Sequence, residues 1–124
     1  MAGSLTEVSK TVFQEIYADI PETRGIIVAS HDGLPLVSDI KGSTSADKLA
    51  ALMATTISMG RRIMPSLSLG EVSEFTITSA EGRLFIYLIG TSAALCIITP
   101  KTVNIGMVFL RATESAKKLA SAVG

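Results

Sequence analysis

The chain has 124 residues, no formal net charge, 48% hydrophobic and 18% charged residues, and one cysteine. That length suits a single domain, 1–124, able to bury a core without staples. The neutral balance excludes bulk attraction to nucleic acid or an anionic membrane, and one cysteine excludes an internal disulfide, in keeping with a reducing cytoplasm.

The start, "MAGSLTEVSK", lacks a basic segment followed by an apolar run, and Ala2 stands where a myristoylated chain needs glycine. Neither a secretory signal nor a lipid anchor is expected. Ser4 with Glu7 forms a capping-box pattern, and Leu5, Val8, Val12, Ile16 and Ile20 then recur at helical spacing until Pro21. "GIIVAS" and "PLVSDI" are short β-rich runs joined through "HDGL", where Asp32-Gly33 signals a hairpin. After the polar loop "KGSTSAD", a second helix is expected from about Ala46 to near Met64, because Pro65 disfavours helical geometry in the residue before it. "EVSEFTIT", "RLFIYLI" and "AALCIIT" follow as an antiparallel meander. Neither "GIIVA" nor "LFIYLI" is long enough to span a bilayer. A last helix opens near Thr102 or Asn104, with Ile105, Val108, Phe109, Ala112, Ala116, Leu119 and Val123 along one stripe.

Composition also suggests how the strands lie side by side. Strands buried on both faces read as continuously apolar, whereas edge strands tolerate polar residues and proline. "GIIVAS", "LFIYLI" and "AALCII" are of the first kind; "PLVSDI" and "EVSEFTIT" are of the second. Joining the hairpin to the meander then gives an α/β layered fold, element order αββαβββα, with a five-stranded antiparallel sheet ordered 2-1-5-4-3 and helices on both faces.

The second helix contains "LAALMATTISMG", without a charge or an aromatic ring. Projected at helical pitch, Leu49, Leu52, Met53, Ile57, Met59, Ile63 and Met64 share one broad face, expected against the sheet. The other side collects Ala50, Ala51, Ala54, Thr55 and Ser58, with Arg61 and Arg62 at its C-terminal end. Surface alanines serve as simple helix formers, but the missing charge coincides with an edge strand that carries Phe75 and Ile77. Two copies about a twofold axis would cover both features, so a homodimer is expected through Ala50, Ala54, Ser58, Phe75 and Ile77.

"GIIVASHDGLPLVSD", "SADKLAALMATTISMGRRI", "GEVSEFTITSAEGRLFIYLIG" and "NIGMVFLRATESAKKLA" together resemble the roadblock/dynein light chain family, in particular its prokaryotic, MglB-like members. The resemblance runs from about Leu5 to Val123. It implies a profilin-like fold that dimerises through the second helix and third strand. It also implies a platform for Ras-like small GTPases or a subunit of motor and signalling assemblies. Similar prokaryotic members stimulate GTP hydrolysis by reshaping the partner's switch segments, with no catalytic group of their own. The family supplies no catalytic residues to carry over. What transfers is the helix surface, with Thr55, Ser58, Arg61 and Arg62 facing the GTPase.

Other chemistry finds little support. His31 and Asp32 are adjacent in a turn, where side chains point apart, and no serine or cysteine completes a triad with them. Cys96 lies in an apolar strand, which suits a buried inert thiol. "GSTSADK" lacks P-loop spacing and reads as a helix cap. No cofactor or metal is expected. Arg61 and Arg62 suit a helix C-terminus by the macrodipole, and equally suit an acidic partner. The leading expectation is a non-enzymatic regulator that binds a small GTPase. The alternatives are a structural scaffold subunit indifferent to nucleotide, or a small-ligand sensor with a pocket beneath the second helix.

Overall fold

The computed structural model describes residues 4–123. The segment containing Ala2 lies outside the described residues. Helix α1 spans Leu5–Asp19, strands β1 Gly25–Ser30 and β2 Pro35–Ile40, helix α2 Ala46–Ser66, strands β3 Glu74–Thr78, β4 Arg83–Ile89 and β5 Ala93–Thr99, and helix α3 Ile105–Val123. The strands form one antiparallel sheet in the order β2-β1-β5-β4-β3, as composition predicts.

Local chemistry sets the ends of these elements. Ser4 caps α1, its Oγ accepting from the Glu7 N–H at 3.2 Å. Glu7 answers through its carboxylate, which accepts the Ser4 hydroxyl at 3.3 Å, a variant of the expected box. In the β1–β2 turn Gly33 adopts φ +94°, which a side chain rarely tolerates. Ser30 closes that turn, its N–H donating to the Leu34 carbonyl at 2.8 Å while its Oγ accepts from the Leu34 N–H at 3.0 Å. Ser45 caps α2 by accepting from the Lys48 N–H at 3.3 Å. Asn104 caps α3, its Oδ1 accepting from the Met107 N–H at 3.0 Å.

α2 runs past the expected stop near Met64, through Pro65 to Ser66. A proline so close to a C-terminus removes only one late hydrogen bond, and the chain recovers others beyond it. The Leu67 N–H reaches Ile63, and the Leu69 N–H reaches back to Met64 across Ser68 at φ 58°. This is a left-handed C-terminal closure with serine where glycine is usual.

Alternating side chains divide the core. Ile26, Val28, Phe85, Leu95 and Ile97 face α1 and α3, whereas Ile27, Ala29, Ile86, Ala94 and Cys96 face α2. α1 and α3 lie antiparallel on one face, tied by Arg111 to Asp19 at 2.8 Å and Lys118 to Glu15 at 2.8 Å. On α3 the buried stripe is Val108, Ala112, Ser115 and Leu119. Ile105 and Phe109, expected on it, are about half exposed, Phe109 with its ring tilted against that of Tyr87. No helix among the described residues is long and apolar enough to cross a membrane.

Candidate functional site

α2 crosses the sheet with three distinct surfaces. Leu49, Ala50, Met53, Ile57 and Gly60 face inward. This corrects the expected face: Leu52, Met59 and Ile63 remain 54%, 56% and 48% exposed. Hydrophobicity alone would turn those large side chains inward. The structure instead turns the small residues Ala50 and Gly60 inward, Gly60 beneath the Phe75 ring, which leaves the larger ones outward. Ala50 is fully buried in its own chain, so its expected place in a dimer interface is wrong: it has no side-chain surface left to offer.

Gly60 explains how the edge strand is held. A Cβ at that position would clash with Cε2 and Cζ of Phe75, so the edge of the ring lies against the helix backbone. Phe75 is therefore half-buried by α2 of its own chain, while Ile77, two residues on, stays 51% exposed. Between α2 and β3 runs a groove of about 460 Å³, walled by Met59, Ile63, Phe75 and Ile77. One flank of α2 is thus an apolar seam continuous with an open strand edge.

The opposite flank faces the β1–β2 hairpin. There the turn glycine approaches so closely that a Cβ on Gly33 would lie 3.5 Å from that of Ala54, which is half-buried. Thr55, Ser58, Arg61 and Arg62 are exposed, the Thr55 hydroxyl donating to the Ala51 carbonyl at 3.3 Å. Arg61 is held in place by a hydrogen bond. Its Nη2 donates to His31 Nδ1 at 2.6 Å, while His31 Nε2 donates to the Ala93 carbonyl at 2.7 Å. A carbonyl can only accept and a guanidinium can only donate, so these two bonds require the neutral Nε2–H tautomer. Sequence reasoning dismissed His31 as a turn residue, and no local signal links it to an arginine 30 residues away. Leu34, in the turn, and Leu36, in β2, are both exposed on this hairpin and were also missed. Arg62 forms no ion pair among the described residues.

Cys96 is buried, and burial pushes its thiol up to about 12, so a nucleophilic thiolate is disfavoured.

The sequence profile of the Roadblock/LC7 domain matches residues 10–99. The chain belongs to the Roadblock/LC7 domain family. Among curated relatives, the uncharacterized protein MJ1340 of Methanocaldococcus jannaschii is 22% identical over 111 residues, covering 87% of this chain and 96% of that protein. Two solved structures share the roadblock fold closely. One, described as MglB with tetrameric arrangement, superposes with a TM-score of 0.88 at 20% identity, covering 98% of this chain and 92% of that one. The other is the gliding protein MglB of Thermus thermophilus, at 0.87 and 19%, covering 98% and 93%. Both likenesses are likenesses of fold, a roadblock/profilin-like layering in which α2 and β3 lie side by side.

Proposed function

We propose that this roadblock chain is a homodimeric, non-catalytic regulator that binds a Ras-like small GTPase and biases its nucleotide cycle or location. The observation that carries the reading is the exposed seam of Leu52, Met59 and Ile63 beside the edge residue Ile77. Large apolar side chains at the seven- and four-residue intervals of a helix–helix seam favour packing against a second α2. The neighbouring strand edge is a liability unless it is paired, and an antiparallel β3–β3 join about the same twofold axis covers it. Self-association accords with the tetrameric arrangement described for the structurally similar MglB. Dimerisation leaves Ser58 and Arg61 on the hairpin flank of each α2 and Thr55 and Arg62 on its outer ridge, where the GTPase would dock. Ala54, assigned from sequence to the dimer, sits on the hairpin flank as well. Regulation of this kind needs no catalytic group in the chain, because phosphoryl transfer responds to positioning and electrostatics.

The test is to mix the full chain with the Ras-like GTPases of its source organism, each loaded with GDP or a non-hydrolysable GTP analogue. Sedimentation should show a dimer that binds one nucleotide state preferentially. Binding to none removes the reading, and equal binding to both states reassigns the protein as a scaffold.

A further inference from the structure

Arg61 has two neighbours, and each uses a different part of its guanidinium environment. On one side stands His31, half-buried in the hairpin and fixed by its bond to Ala93. On the other side opens a cleft of about 440 Å³, formed by Arg61 and Pro65 of α2, Glu71 and Val72 of the loop before β3, and Gly90 and Thr91 of the β4–β5 turn. A guanidinium carries five N–H donors in one plane. His31 accepts one of them and so fixes the orientation of that plane. The others are left for a ligand in the cleft. An imidazole brings no negative charge, so the bond to His31 leaves the guanidinium charge of Arg61 uncompensated. No ion pair cancels that charge among the described residues, although Glu71 borders the same cleft.

We propose that this cleft receives a carboxylate side chain from a partner protein, with His31 as a positioning residue that presents Arg61 to it. The proposal deepens the regulatory reading above and rests on it for the partner's identity. Guanidinium and carboxylate match in a planar, two-bond geometry that a lysine could not reproduce. Glu71 borders the cleft and opposes any incoming anion, so a carboxylate of single charge is favoured over a phosphate of about twice that charge. Val72 and Leu88 add apolar wall, which suits an acidic residue flanked by aliphatic ones. The second arginine, Arg62, lies outside this cleft and supplies general positive charge from the outer ridge of α2.

The experiment uses the full-length chain labelled for NMR. It is titrated with an acetylated, amidated tetrapeptide of sequence Leu-Glu-Glu-Leu, and separately with Leu-Gln-Gln-Leu. The acidic peptide should shift the Arg61 side-chain and His31 ring signals, while the neutral one should leave them in place. His31→Ala should weaken the acidic peptide about tenfold, as should Arg61→Ala, and the double variant should be no weaker than Arg61→Ala alone. His31→Gln keeps an acceptor for Arg61 and a donor for Ala93, so it should restore binding; a merely structural histidine would not be rescued this way. Glu71→Gln should tighten binding. Identical shifts from both peptides, or losses from His31→Ala and Arg61→Ala that simply add, would overturn the assignment. If the acidic peptide seats normally but no GTPase binds, the proposed function falls and this inference stands. If a GTPase binds while the peptide arm fails, only this inference falls.

Discussion

At Gly60 two familiar effects of a glycine-to-alanine change oppose each other. In an ordinary helix interior, alanine gains about 0.8–1.0 kcal/mol over glycine. Here the added methyl would clash with the ring of Phe75, and overpacking of that kind costs about 1–3 kcal/mol. The clash should win, because swinging the ring into the neighbouring groove strips Phe75 of its packing over the α2 backbone. Gly60→Ala is therefore expected to lower stability by about 1 kcal/mol, against the helix-propensity trend. Combining it with Phe75→Leu should recover part of the loss. Urea unfolding of the four chains of this cycle reads the coupling directly; a stabilised Gly60→Ala would mean that the ring moves aside freely.

The elements were legible in the sequence to different depths. Strand order could be read because β1, β4 and β5 are continuously apolar whereas β2 and β3 alternate, and burial on two faces requires that difference. The cap at Ser4 was legible, and that of α2 to within Ser43 to Ser45, because caps depend on neighbours three residues away. The orientation of α2 was not. A helical projection weighs apolar character, whereas the structure turns the small residues Ala50 and Gly60 inward, Gly60 where a side chain would meet the Phe75 ring. The His31–Arg61 contact was illegible because the fold alone brings hairpin and helix together. The corrected orientation divides α2 into flanks that single substitutions can separate. Met59→Lys places a charge in the apolar seam, and should shift sedimentation from dimer to monomer while the circular dichroism spectrum is retained. Ser58→Arg adds bulk on the hairpin side, and should preserve the dimer while reducing GTPase affinity about tenfold or more. If the two variants behave alike, the flanks do not have separate tasks.

For the molecule as a whole, the ionisable groups locked into the layers imply failure on the alkaline side. Cys96 lies between the sheet and α2, and burial holds its thiol at about 12, above its usual 9.0. Tyr87 is pushed up to about 12 from 10.0 by burial and then by the Glu74 carboxylate. Tyr17 is pushed up to about 12 from 10.0, first by burial and then by Asp39, to whose main-chain carbonyl its hydroxyl donates at 3.4 Å. In each case the unfolded chain loses its proton first as pH rises. Above the unfolded values the native state binds more protons than the unfolded state, so stability falls with pH. These three contributions are complete below pH 9.0, begin to disappear from there as the unfolded thiol ionises, and are gone by about 12. Thermal melting should accordingly decline through that window. Tyr87→Phe and Cys96→Val should each flatten the decline, the cysteine change acting from its lower-pH end. The free thiol gives an independent reading of the same event, since Cys96 should resist a thiol reagent while folded and react as the alkaline transition proceeds. Rapid labelling well below that transition would show that the space between α2 and the sheet opens without unfolding, and the pH dependence would then need another origin.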